Sequence, residues 1–388
     1  MIKVGWIDFS SKDREKAMAV IDLMKENGAV DELGIGVVRD RLADILFPGT
    51  STIQTRAKYF FIVPWCMIEA EKNFKNKVDY LKRLNNIETY VIKALIKNEP
   101  SNTTGIIGKY SIGTLKRKPS EIYWNGLRTY NIMPFNISRN QYISSIKTNK
   151  NHDIEEGDDK DSYYLDNDEI RWNITKTRKN WKENLTLSLT KEESEFLKEK
   201  ISRYHPNSLY SYIINNKDIS LEDEDIYYLT FKNTLPEVVR NDLDLALNFG
   251  KVIHGAHIRY NIILRQKNSV EIDDYEDYWN QWCNEMSQFN WDKFNIDRIY
   301  EFAQATKGTK EFIEGWFKAT RELDNINLGQ LDKMIEAREY SLKGQRAKLK
   351  NYGNVDVSKW VGLDMLEYRW RNVKTLVKDI KDGEKLNA

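Results

Sequence analysis

The chain has 388 residues, long enough for two or three domains with sizeable cores. Eleven Trp, 21 Tyr and 14 Phe promise cores built on large rings, and seven Pro with 19 Gly leave few long loops and favour helices. Lys and Arg (60) nearly cancel Asp and Glu (59); the net charge of +1 excludes a wholly basic nucleic-acid coat or a polybasic membrane binder, so any such role rests on local patches.

Residues 2–9 (IKVGWIDF) read as a short buried strand or extended segment without the features of a signal peptide. Ser10 or Ser11 then caps a helix with Ala17, Met18, Val20, Ile21 and Met24 inward, which Gly28 ends. A second helix, from about Ile35 to Phe47, buries Val38, Leu42, Ile45 and Leu46 and stops at Pro48-Gly49. Thr50 or Ser51 can cap a third helix that runs towards Pro64, and another carries on to about Ile96. The longest apolar run, Tyr59 to Ile68, is broken by Pro64 and falls well short of the ~20 residues of a spanning helix. No membrane contact is expected. Two thiols far apart, Cys66 and Cys283, point to a reducing cytoplasm and not to a disulfide framework.

Residues 101–150 change character, with eight cations against the single acid Glu121 and with Tyr110, Tyr123, Trp124 and Tyr130 interleaved. Pro119 or Ser120 marks a short helix there. Residues 151–169 invert the sign, nine acids to one Lys, and read as a loop and a boundary. Thr190 with Glu193 fits a capping box. Leu235-Pro236 opens a long helix that is apolar nearly all round, and helices continue through DYEDYWNQWCNEM, DRIYEFAQA, EFIEGWFKATREL and YRWRNVKTLVKDI. The expected fold is mainly α and multi-helical with minor β. A helix-turn-helix-like, nucleic-acid-contacting part spans 1–150, an acidic loop 151–170, and a helical partner-binding part 171–388.

Three stretches can contact nucleic acid. On a helix-turn-helix reading of 35–63, Gln54, Thr55, Arg56 and Lys58 stand on the first turns of the second helix, where such motifs reach base edges; the alternative is an ordinary helical hairpin. Lys116, Arg117, Lys118 and Arg128 in the basic segment can neutralise phosphates while its rings stack on bases; alternatively the acidic loop neutralises them within the fold. In REYSLKGQRAKLKN, Arg346 and Lys350 share a helical face with Lys343 one turn earlier, as a phosphate contact or as a solvated face. The HGAH pair, His254 and His257, has metal-like spacing but lacks further ligands and sits on an apolar helix. No HExxH, CxxC, P-loop or GxSxG occurs, so no catalytic residue, metal or cofactor is expected. A metal nuclease would have to use acids such as Asp166, Asp168 and Glu169 ahead of a possible strand, IRWNIT.

Seven stretches, GWIDFS, GAVDELGIGVVRD, FPGTSTIQTRAKYF, PSEIYWNGLR, GAHIRYN, LKGQRAKL and YRW, are spread over the whole chain. They resemble a bacterial family catalogued as domain of unknown function 6361. The family supplies no activity; its resemblance to genes of bacterial defence islands, beside helicase and phospholipase-D-like nuclease genes, implies an antiviral accessory role. The expectation is a non-catalytic subunit of an antiviral defence system that binds nucleic acid (DNA first) or acts as a scaffold, with helicase or nuclease subunits as partners. The alternatives are a metal-dependent nuclease of the same system and a protein-only interaction module.

Overall fold

A computed structural model describes residues 31–72, 74–146, 172–175, 180–322 and 327–385. The readings of 2–9 as a strand, of the helix before Gly28 and of the acidic loop 151–170 lie outside them. Among the described residues the protein is helical and has no strand. Its helices are α1 (Gly36–Leu46), α2 (Tyr59–Ala70), α3 (Lys77–Asn98), α4 (Pro119–Ile122), α5 (Trp124–Thr129), α6 (Arg139–Ser145), α7 (Lys191–Tyr204), α8 (Leu209–Asn215), α9 (Glu237–Lys267), α10 (Asp273–Ser287), α11 (Ile296–Phe302), α12 (Lys307–Arg321), α13 (Leu328–Lys343) and α14 (Trp370–Lys385). None of these is long and apolar enough to cross a membrane. The chain divides into two compact units, one of Met1–Arg41 with Leu245–Leu366, the other of Leu42–Asp244 with Glu367–Ala388.

In the unit built on Leu42–Asp244, the core is made by α2, whose sequence YFFIVPWCMIEA buries ten of its 12 residues. The helix starts at Tyr59 and not at Thr50 or Ser51, and Pro64 lies inside it instead of ending it. An interior Pro costs about 3 kcal/mol, but each large apolar side chain fully buried returns about 1.5–3 kcal/mol. Burial therefore wins, and the helix runs through the Pro to Ala70. It packs on α3 and α4, while α14 lies against α7 and α8. Residues 172–175, in the possible strand IRWNIT, are not in a strand.

In the unit built on Leu245–Leu366, the α9 segment from Leu245 onward is buried at Ala246, Phe249, Val252, Ile253 and Ala256. The indole N–H groups of Trp282 and Trp316 donate to the α9 carbonyls of Lys251 (2.8 Å) and Val252 (2.9 Å). Gly255 makes this possible: a Cβ there would lie 2.4 Å from the Trp282 ring. At the start of α1, the carboxylate of Asp31 accepts the Ile35 (3.0 Å) and Gly36 (2.6 Å) N–H groups, satisfying donors that a helix start leaves open.

Candidate functional site

Residues 47–58 of the block FPGTSTIQTRAKYF (47–60) form a loop between α1 and α2, longer than the three or four residues that join a helix-turn-helix. Gln54, Thr55, Arg56 and Lys58 are therefore not on the first turns of a helix. Gly49, at φ +77° with the Tyr130 ring against it, lets the chain reverse after Pro48. The polar groups the sequence offered for base contact instead bind the chain itself, except the Gln54 carbonyl oxygen, which is buried without a hydrogen-bond partner among the described residues. The Gln54 amide, 1% exposed, donates to Gly49 O (3.0 Å), and the Thr55 hydroxyl donates to Gly105 O (2.7 Å). The Tyr123 hydroxyl accepts the N–H groups of Thr55 (2.9 Å) and Arg56 (3.1 Å) and donates to Arg56 O (2.8 Å).

The two cations of this block are spoken for. The Arg56 guanidinium grips Asp379 with Nε (2.9 Å) and Nη2 (2.8 Å), and Asp379 also accepts the Ala57 N–H (2.8 Å). Burial pushes the Asp379 carboxyl above its ordinary range, and Arg56 and the Ala57 N–H pull it part of the way back. The Lys58 ammonium sits 2.8 and 2.6 Å from the two oxygens of Glu193, with both side chains nearly inaccessible. Glu193 is also the reciprocal member of the Thr190 capping box at the start of α7. These four residues build the fold.

In the basic segment, three of the four rings expected to stack on bases are core: Tyr123 and Tyr130 are fully buried and Trp124 is 6% exposed, while Tyr110 stands out in solvent. Pro119 opens α4 as expected. Lys109 donates to Ser101 O (2.7 Å) and Thr103 O (3.1 Å), and Arg139 donates to the Ser120 hydroxyl (3.2 Å). Arg128, half-buried, bonds the Asn136 side chain. Lys116 is exposed, and Arg117 and Lys118 are half-buried beside it in the turn before α4. Lys147 and Lys150 lie outside the described residues.

Arg346 belongs to the other unit, and its surroundings differ. Helix α13 ends at Lys343, and Gly344 at φ +56° starts a single tight turn, Gly344–Arg346. The helical face expected to join Lys343, Arg346 and Lys350 therefore does not form. From there to Gly362 the chain has only short turns, yet it is tied down. Glu339, wholly buried on α13, accepts the backbone N–H groups of Lys348 (2.8 Å) and Leu349 (3.0 Å) and the Tyr260 hydroxyl (2.8 Å). Asn261 on α9 accepts the Val361 N–H (2.8 Å) and donates to the Val361 carbonyl (3.0 Å), and Arg265 donates to Val357 O (2.5 Å). Two stretches that carry the family resemblance, GAHIRYN and LKGQRAKL, thus anchor one loop.

Along that loop opens a cleft of about 530 Å³, lined by Arg346, Lys348, Lys359, the amides of Asn351 and Asn354, and Trp360. Asp356 is the one carboxylate on its wall, and it accepts the Ser358 N–H (3.1 Å) and hydroxyl (2.5 Å), bonds that hold its carboxyl below the ordinary range. The Lys348 ammonium lies 2.8 Å from the buried carboxylate of Glu32. Arg346 and Lys359 are exposed, and neither forms an ion pair among the described residues. Trp360 is fixed by stacking on Tyr275 (5.8 Å, 14°) and on His254 (5.9 Å, 29°) and by donating to Leu363 O (2.9 Å). Of the nine residues expected to contact nucleic acid, Arg346 lines this cleft. Lys359, Asn351, Asn354 and Trp360 were not anticipated; the signal for them was the Gly- and Asn-rich interruption between two helical patterns.

The histidines behind the cleft behave as packing groups. His254 bonds Asp364 (3.0 Å), which holds that carboxyl below its ordinary range. Among the described residues no three His, Cys, Asp or Glu side chains are grouped to hold a metal. His257 is buried, and burial, reinforced by His254, pushes its imidazole down to about 3. The ring stays neutral in the fold while the unfolded chain protonates it near pH 6.5. Stability is therefore complete above pH 6.5 and falls as pH drops towards 3, by up to about 1.4 kcal/mol per pH unit for one proton. Melting curves of His257→Leu across that window should show a shallower acid limb than the parent; parallel limbs would mean that the ring is hydrated in the fold.

No curated protein and no solved structure matches the chain. The model of one family, described as a family of unknown function (DUF6361), matches residues 1–383. The chain, from the loop anchored on Glu339 to the buried block at 47–60, belongs to that family.

Proposed function

We propose that the protein is a nucleic-acid-binding subunit that performs no chemistry of its own, working within a bacterial antiviral defence system as the family resemblance implies. The observation that carries the reading is the cleft on Arg346, Lys348, Lys359 and Trp360: a wall tied to Glu339, Asn261 and Arg265, with two exposed cations that form no ion pair among the described residues and with its one acid, Asp356, bonded to Ser358 and in the field of Lys359. Phosphate binding is electrostatic and displaces counterions, so binding at such a site should weaken as salt rises. In the other unit, Lys116, Arg117, Lys118 and Arg128 are basic residues proposed for a separate contact of the same kind, Arg128 also bonding the Asn136 side chain. Gln54, Thr55, Arg56 and Lys58 drop out of the proposed interface because their polar groups are bonded within the fold or, for the Gln54 carbonyl oxygen, buried. A cytoplasmic location and helicase or nuclease partners go with this reading.

The test is fluorescence anisotropy of the whole protein with labelled single- and double-stranded DNA and RNA over a salt series. Binding should weaken with salt. The double variant Arg346→Glu, Lys359→Glu should bind more weakly and lower the salt slope by about one for each phosphate contact removed. Absence of salt-sensitive binding to all four ligands would overturn the proposal.

A further inference from the structure

We propose that the cleft along residues 346–362 is a pocket for a single nucleoside phosphate, either a free nucleotide or the phosphorylated end of a strand. This rests on the reading of the same cleft as a polyanion site and narrows it.

Size comes first. At about 530 Å³ the cleft, which is open to solvent on one side, has room for one small molecule, within the range of about 300–1,000 Å³ typical of ligand sites. A protein that tracks a duplex makes on the order of 6–10 phosphate contacts. The cleft offers three cations, and Glu32 already shares Lys348. Two exposed cations, the fork of Arg346 and the ammonium of Lys359, suit one phosphate group at a chain end or on a free nucleotide.

The remaining lining suits the nucleoside. The Asn351 side chain is held by donating to Gln345 O (2.7 Å) and Ala347 O (2.9 Å), which leaves its carbonyl oxygen as an acceptor of fixed direction. Such an acceptor can take an exocyclic amino group. Trp360 is already stacked on Tyr275 and His254, so it serves as a fixed apolar wall with Val361 and is not a free stacking platform. The wall does not have to be ordered on binding, because Glu339, Asn261 and Arg265 hold it beforehand. Pre-organisation of this kind lowers the cost of association.

The experiment uses the whole protein and titrates ATP, inorganic phosphate, and short labelled strands carrying a 5′-phosphate, a 3′-phosphate or hydroxyl ends only. ATP or one phosphorylated end should bind more tightly than inorganic phosphate, which lacks the nucleoside, and at least about tenfold more tightly than hydroxyl ends, the margin that one charge-assisted hydrogen bond provides. Arg346→Glu and Lys359→Glu should each remove that margin without moving the melting temperature, since both side chains are exposed. Competition by ATP identifies a free nucleotide as the source, and preference confined to a phosphorylated end identifies a strand terminus; either supports the pocket. Equal affinity for phosphorylated and hydroxyl ends, with no ATP binding, overturns the pocket and leaves the nucleic-acid reading standing. ATP binding without binding to any strand does the reverse. A preference that survives both charge reversals also overturns the pocket.

Discussion

Lys58→Ala is expected to lower the unfolding free energy by about 3–5 kcal/mol, the usual cost of leaving one member of a buried ion pair alone. Lys58 is 6% exposed, and removing its ammonium strands the Glu193 carboxylate against α2 and α7. Glu193→Ala should cost at least as much, because Glu193 also accepts the Thr190 N–H (2.8 Å) that closes the α7 cap. The double variant Lys58→Met, Glu193→Leu removes both charges and keeps most of the volume. It should recover most of the loss, since two packed apolar side chains avoid the desolvation that the ions suffer. Denaturant unfolding of the two Ala variants and of the double variant Lys58→Ala, Glu193→Ala measures the coupling, and strictly additive losses would show that the pair is not a unit. Arg56 with Asp379 should follow the same pattern at smaller size, the Arg side chain keeping 20% of its surface in water. Charge reversal at Lys58 or Arg56 is therefore expected to reduce the folded fraction while leaving nucleic-acid affinity per folded molecule unchanged.

Much of the helical order was readable from local chemistry. The Thr190–Glu193 capping box, Pro119 at the start of α4, the long helix after Pro236 and the stop at Pro48-Gly49 all rest on interactions within a few residues, and all are present. The misplaced start of α2 has the opposite cause. Thr50 and Ser51 are sound caps by local rules, but residues 50–58 find better partners far along the chain: Arg369 donates to Thr50 O (2.8 Å), Asn372 to Thr52 O (3.1 Å) and Gln54 O (2.7 Å), and Tyr123 binds Thr55 and Arg56. A loop satisfied from sequence distances of that order cannot be seen in a window of a dozen residues. The same holds for charge. Arg56 and Lys58 look like surface cations beside Gln54 and Thr55, and only the fold supplies Asp379 and Glu193. Aromatic interleaving misled for a related reason: Tyr123 and Tyr130 alternate with cations along the chain, yet their rings point into the core and their hydroxyls bind backbone groups. Charge alone points to Arg346, but its setting is not the helical face that the charge spacing implies, because Gly344 ends the helix.

Glu339→Ala should be the most damaging change at the cleft, although Glu339 does not line it. Its carboxylate, wholly buried, satisfies the Leu349 N–H and the Tyr260 hydroxyl out of reach of water and the part-buried Lys348 N–H beside them. A buried donor left unsatisfied costs about 1–3 kcal/mol. Partial relaxation of the loop brings the expected loss for three such donors to about 3–5 kcal/mol. Burial and the neighbouring Glu339 carboxylate push the Tyr260 phenol above its ordinary range, and its hydroxyl is the donor of this bond. Glu339→Gln is the sharper probe. One of its two oxygens survives to accept, while the new NH2 group meets an N–H head on, so part of the loop should come free with the rest of the unit intact. The expected signature is faster amide hydrogen exchange at Lys348 and Leu349, together with weaker nucleotide binding, in a protein whose helices remain protected. Arg346→Ala should behave in the opposite sense, losing binding while exchange at those two amides stays at the parent rate. If Glu339→Gln leaves both exchange and binding unchanged, the loop is held by Asn261 and Arg265 alone, and Glu339 is a core residue with no bearing on the cleft.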